Sequence, residues 1–140
     1  TVLVNGTPVN PLGAAWIDKG LGGFLENHTL PSYQALAAAN MGKQKVPTLR
    51  NVDKRPSQTF VKAYAHNGYF KSLKEIVHFY NTRDLLPLCT GVAVPGVDCW
   101  PAPEVATNVN VNELGNLGLT ATEEDELVAF MKTLTDRYQP

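Results

Sequence analysis

Ten prolines and eleven glycines in 140 residues are ordinary numbers, but they crowd the first third of the chain and residues 87–103. Proline fixes φ and removes an amide donor, and glycine relaxes the backbone into turns, so neither stretch can hold a long regular element. Regular structure is confined to the windows between them. The first thirty residues, with Asn10-Pro11-Leu12-Gly13 and Lys19-Gly20-Leu21-Gly22-Gly23-Phe24, show no sustained period and read as an irregular wrapping arm. Ser32 to Asn40 reads as a short helix with Ser32 as N-cap and Gly42 as stop. Pro47 holds Val46 extended, making Lys45–Asn51 a fixed loop.

Two windows carry helix signals at both ends and in the middle. Ser72 and Glu75 form a capping box, followed by Leu73, Ile76, Val77 and Tyr80 at i, i+3, i+4 and i+7. Tyr80 is expected on that buried stripe, with Lys74 and His78 on another face nearer solvent. Thr120 and Glu123 form a second box, followed by Leu127, Val128, Phe130, Met131 and Leu134 on one broad apolar face, with Met131 in the core. Acidic Glu123, Glu124 and Asp125 at the start, and Lys132 and Arg137 near the end, suit the helix dipole. Asn108-Val109-Asn110-Val111-Asn112 alternates like a strand, but asparagine favours turns, so no strand is expected. The class is all-α, with few helices and long ordered loops.

At this length, with 44% hydrophobic residues, the chain can bury one moderate core and is expected to be one domain or one lobe. Twelve basic and thirteen acidic side chains leave a formal charge of −1, which gives no global attraction to nucleic acid or to an anionic membrane. No apolar run reaches the ~20 residues of a membrane span. A chain opening at Thr1 without a basic and then an apolar region is expected to be soluble, with any signal peptide already removed. Loops beyond ~12–15 residues are uncommon unless they serve a site or a partner, and a buried flat cofactor would act as core for such a chain.

Cys89 and Cys99 are the only cysteines, and no partners at zinc-ligand spacing accompany them. Paired, they would close a short Gly/Pro-rich loop, contribute about 2.7 kcal/mol in the chain-entropy view, and indicate an oxidising compartment. The alternative is two free thiols in a cytosolic loop. No phosphate loop, His-Glu-x-x-His, Gly-x-Ser-x-Gly or repeat period is present.

Three strings together carry a resemblance: Lys45-Val46-Pro47-Thr48-Leu49-Arg50-Asn51-Val52, Tyr64-Ala65-His66-Asn67-Gly68-Tyr69-Phe70, and Ser72 through Asn81, with Leu117-Gly118-Leu119-Thr120 leading into the last helix. Their joint spacing resembles the C-terminal half of the bacterial di-haem cytochrome c peroxidase family, in the branch that includes the methylamine-utilisation di-haem enzymes. The resemblance implies one cytochrome c-like lobe over residues 1–140, with residues 1–44 as the arm and 45–140 facing haem c. It implies peroxidase-like oxidoreductase chemistry on hydrogen peroxide, a periplasmic location, a small redox protein as electron donor, and a preceding N-terminal haem lobe as partner. Members attach haem through Cys-x-x-Cys-His, which these 140 residues lack. The motif is therefore expected upstream, in a longer protein; a relative that has lost haem is the alternative.

The resemblance places Tyr80 where the family has the distal axial ligand of the C-terminal haem, Met in typical peroxidases and Tyr in the methylamine-utilisation branch. A phenolate oxygen favours ferric iron and a lower potential than a thioether. The alternative is a core tyrosine with its hydroxyl on a backbone carbonyl. Met41 is the rival ligand. Arg50 suits a haem propionate, which a guanidinium can clamp with two hydrogen bonds. It lies in a run, Lys43, Lys45, Arg50, Lys54 and Arg55 against Asp53, that could equally meet an acidic donor protein or form a solvated face. His66 resembles the family histidine near the haem edge, although His66-Asn67-Gly68 also makes an ordinary turn. The resemblance extends to calcium held by carbonyls before that histidine, here Val61 and Ala63. Two further functions are weighed beside the peroxidase: an electron carrier without peroxide chemistry, and a cofactor-free, disulfide-held interaction module.

Overall fold

The structure, a computed structural model, describes residues 3–4 and 7–8 as backbone, Leu12, and residues 15–57 and 59–136. The chain forms two compact units, each built from two separate stretches: residues 1–44 with 103–109, and residues 45–102 with 110–140.

In the larger unit, helix α3 (Leu73–Thr82) and helix α4 (Ala121–Thr133) form where the sequence indicates. Ser72 and Thr120 accept the amide hydrogens of Glu75 and Glu123, whose carboxylates accept from the amides of Ser72 and Thr120 in return. Each box satisfies two amides that the first turn would otherwise leave unpaired. Tyr64, Phe70, Leu73 and Trp100 are the buried centre, with Val52, Ile76, Phe79, Leu86, Val128 and Met131 packed around them. Phe79 stands edge-on to Trp100 with ring centres 5.1 Å apart, and Phe70 lies 5.2 Å from Phe79.

Tyr80 does not share the buried stripe expected of it: it is 43% exposed. Phe79 takes the inward direction, because an aromatic ring without a polar end completes the Trp100 cluster at no hydrogen-bonding cost. The broad apolar face of α4 is likewise narrower than expected. Val128 and Met131 pack on the core, whereas Leu127 and Phe130 are exposed. The position that completes the inward stripe, four residues before Val128, is Glu124, which is 3% exposed. Arg137 lies outside the described residues.

The segment between α3 and α4 is loop throughout. Cys89 and Cys99 form a disulfide, with Cα atoms 4.8 Å apart. Beside it the chain runs parallel to itself: the amide of Cys89 donates to Trp100 O and the amide of Trp100 donates to Pro87 O, both at 2.9 Å. Asn108 takes a positive φ of 64°, and the Asn110 side chain accepts from the amides of Asn112 and Glu113, so the asparagines make turns as their type predicts.

The smaller unit corrects three expectations. Gly20 to Phe24 is helical, within α1 (Gly20–Glu26) and capped by Lys19, despite its glycines. A Cβ on Gly22 would lie 2.5 Å from Met41 Cα, so this glycine permits close approach of two backbones and marks no turn. Ser32 is not an N-cap. Helix α2 spans Pro31–Gln34 with Leu30 as N-cap, because proline at the first helical position needs no amide partner, and a 3₁₀ turn follows at Ala38–Asn40. Leu3–Val4 (β1) and Thr7–Pro8 (β2) form a two-residue antiparallel ladder, which the absence of any strand signal did not anticipate. Asn10, Pro11 and Gly13 lie outside the described residues. No described helix is long and apolar enough to cross a membrane.

Candidate functional site: two faces of helix α3

Helix α3 presents two polar groups in opposite directions, since residues two apart on a helix point about 200° from one another. On one side is Tyr80, next to Phe79 with ring centres 6.1 Å apart. Its carbonyl accepts from the Gly115 amide, and its hydroxyl makes no hydrogen bond among the described residues. Tyr64 shows what a core tyrosine does in the same unit. It is 7% exposed, and its hydroxyl contacts Asp53 at 3.4 Å and receives Arg55 Nη2 at 3.3 Å. Burial pushes the Tyr64 hydroxyl up, while the hydrogen bond that Arg55 donates to Asp53 holds its guanidinium more firmly protonated. Tyr80 has neither such burial nor such partners.

On the other side, Lys74 and His78 lie one turn apart and converge on Glu124 of α4. His78 Nδ1 lies 2.9 Å from Glu124 Oε1, Asn81 Nδ2 donates to the same oxygen at 2.7 Å, and Lys74 Nζ lies 3.0 Å from Oε2. Lys74 also reaches Asp125 at 2.7 Å. Burial pushes the Glu124 carboxyl up, but the bonds from Asn81, His78 and Lys74 outweigh it and hold the group below the usual carboxylate range. The hydrogen bond to Asp125 first, and that to Glu124 next, raise the Lys74 ammonium. Glu124 is therefore an anion at neutral pH and can only accept, so His78 Nδ1 must carry the hydrogen that joins them. Asn81, itself 4% exposed, exchanges bonds with Leu119: its amide donates to Leu119 O at 2.9 Å and its carbonyl accepts the Leu119 amide at 3.0 Å. One buried side chain thus ties the end of α3 to the approach of α4.

A cleft of about 630 Å³ opens beside this cluster. It is lined by the polar His78 and Glu124, by the aromatic Tyr69, Phe70 and Trp100, and by Pro95–Val97 of the disulfide loop. Gly96 is held at φ +80° and a Cβ there would meet the Trp100 ring at 3.2 Å, so the loop lies directly on the indole.

The other residues that the resemblance singles out are spread along the chain. Arg50 is 72% exposed and its Nε donates to Asp136 Oδ2 at 2.9 Å, leaving the two terminal amino groups outside that bond. That bond, followed by one from Asn51, lowers the Asp136 carboxyl. Of the basic run, Lys43, Lys45 and Lys54 are exposed, and Arg55 is turned inward onto Asp53. His66 is exposed in the turn closed by the Gly68 amide on Ala65 O. Met41 belongs to the smaller unit, half-buried against Gly22. Val61 and Ala63 are exposed in an extended stretch, and no cluster of three His, Cys, Asp or Glu residues suited to a metal occurs among the described residues.

The Glu124 cluster is what sequence reasoning missed. Its signal was present: a carboxylate on the Val128–Met131 stripe of one helix, and Lys74 and His78 four apart on another. Acidic residues at a helix start have an explanation in the dipole, and that explanation hid the one that turns inward.

No family profile matches the chain, and no solved structure matches it. Two known proteins do. The methylamine utilization protein MauG of Paracoccus denitrificans (strain Pd 1222) is 37% identical over 142 residues, covering 96% of this chain and 34% of that protein. The cytochrome-c peroxidase IdrP1 of Denitromonas iodatirespirans is 31% identical over 103 residues, covering 74% of this chain and 20% of that protein. The chain spans about a third of the length of the first relative and a fifth of the second. With the joint spacing of its three motif strings and a similarity to MauG that runs along nearly all of its length, the chain belongs to the di-haem cytochrome c peroxidase-like family.

Proposed function

We propose that this chain is the haem-binding electron-transfer lobe of a periplasmic, peroxidase-like di-haem cytochrome c, with the Tyr80 hydroxyl as an axial ligand to haem iron. The observation that supports this most is the state of Tyr80: 43% exposed on a helix whose other face is core, and with a hydroxyl that no described residue engages. That differs from the core tyrosine alternative, which Tyr64 exemplifies. The residues fit the group. A free phenol oxygen suits ferric iron, and Arg50 has two terminal amino groups left for a propionate beyond its bond to Asp136. His66, exposed in its turn, would stand near the haem edge. A haem so held supplies one-electron exchange and the reduction of hydrogen peroxide. Tyr80 would set the potential through an anionic oxygen, and Arg50 would orient the ring through its carboxylate. The disulfide suits an oxidising compartment, which supports the periplasm. A small redox protein is the electron donor in this reading, and the lobe partners an N-terminal haem lobe.

Tyr80→Phe in the full-length, haem-loaded protein is expected to change the ferric absorption spectrum and to raise the reduction potential. An unchanged spectrum removes Tyr80 as ligand. Turnover of hydrogen peroxide with a reduced donor separates the enzyme from an electron carrier, and a colourless full-length protein would leave only the cofactor-free module.

A further inference from the structure

The cleft beside His78 lies on the opposite face of α3 from Tyr80 and has no part in the haem reading. Its size is within the ~300–1,000 Å³ of small-molecule sites, and its construction is that of such a site: aromatic and aliphatic walls with a few convergent polar groups. The charged residues on it are Lys71 and Lys74 against Glu75 and Glu124, so formal charge cancels. Each is already engaged. Lys71 Nζ donates to Gly68 O, Lys74 is held between Glu124 and Asp125, and Glu75 accepts from the amides of Ser72 and Lys71. Lys71 and Glu75 keep their charges, which are opposite in sign and line the same cleft, so an ionic ligand meets as much repulsion as attraction here.

One polar atom is left over. His78 Nδ1 gives its hydrogen to Glu124, so in the neutral ring the lone pair sits on Nε2, which makes no hydrogen bond among the described residues. The ring is partly exposed, 34% of the side chain, and lines the cleft 6.1 Å from the Trp100 ring. A fixed acceptor beside aromatic walls recognises a flat apolar ring that bears a donor. A carboxylic acid would be charged and is excluded by the same balance. We propose that this cleft is a binding site for a neutral, hydroxyl-bearing aromatic molecule, a phenol, whose hydroxyl donates to His78 Nε2 while its ring lies against Tyr69, Phe70 and the Pro95–Val97 loop. The Glu124 carboxylate acts as the positioning group, fixing the imidazole so that the acceptor faces the ligand.

The test is calorimetric titration of the full-length, haem-loaded protein with three matched probes: phenol, anisole (which keeps the oxygen and loses the donor) and benzoate (which is charged). Phenol is expected to saturate one site about tenfold more tightly than either other probe, the worth of one net hydrogen bond, without moving the haem spectrum. His78→Phe should abolish the preference for phenol over anisole. Because that change also strips Glu124 of a donor, Val97→Trp serves as a second variant: it fills the cleft from an exposed loop position, leaves the Glu124 cluster intact, and should abolish binding altogether. Equal affinity for phenol and anisole, no saturable binding, or phenol binding that survives Val97→Trp overturns the proposal.

Discussion

Glu124 shows how a single side chain can be read correctly in kind and wrongly in place. The sequence puts it in the acidic first turn of α4, where the dipole explains it, and so it is; but it is also the inward member of the Val128–Met131 stripe. A buried carboxylate survives there because three donors from α3 meet it. Removing the acceptor strands those donors, of which Asn81 is shielded from water, so Glu124→Ala is expected to lower stability by about 3 kcal/mol. Glu124→Gln keeps an oxygen for Asn81 and His78 but turns an amide toward Lys74, and should cost about 2 kcal/mol. Lys74→Ala should cost less, since its side chain is 40% exposed and its removal leaves Glu124 with two of its three donors. Denaturant titration of the three variants checks the order; equal losses for Glu124→Ala and Lys74→Ala would show that the carboxylate is not the centre of the cluster.

The elements separate what a sequence can display from what it conceals. Helices α3 and α4 were legible because their signals are local: a cap, an acid three residues on, an apolar period. Ser72→Ala or Thr120→Ala is expected to cost about 1 kcal/mol each, read from denaturant midpoints. Helix α1 was hidden because Gly22 is there for Met41 and Gly20 for Lys43, each more than fifteen residues away, and no local rule contains those contacts. The same reason hid the direction of Tyr80. Phe79 and Tyr80 are adjacent, and only Trp100, from the far end of a loop, decides which of them turns inward. The disulfide loop was legible as a pair of cysteines but not as the wall of a cleft. Replacing both Cys89 and Cys99 by Ser is expected to cost about 2.7 kcal/mol from loop entropy. A midpoint unchanged from the parent protein would mean that the strand-like pairing of residues 87–89 with Trp100 holds the loop without the bond.

At the scale of the whole chain, charge linkage runs in two directions. Glu124, Asp84, Asp136 and Glu123 all have folded carboxyls below their usual values, Asp84 chiefly through Arg83 and Glu123 through the Thr120 amide. A depressed carboxyl contributes stability that is complete above its unfolded pKa, about 4. That contribution fades as pH falls through the lower folded value. Lys74 and Arg55 are raised, and their contribution is complete below an unfolded pKa of about 10 or higher and lost above the folded one. Stability should be level from about pH 5 to 9 and fall below about pH 4, measured as denaturant midpoints across that range. A midpoint that rises on acidification would contradict the carboxylate assignments. The two-stretch make-up of each unit carries its own consequence, for time. The unit that begins the chain needs residues 103–109 to be complete, and by then most of the other unit has already been synthesised. Residues 1–44 therefore cannot complete their unit as soon as they are made, and wait for residues 103–109.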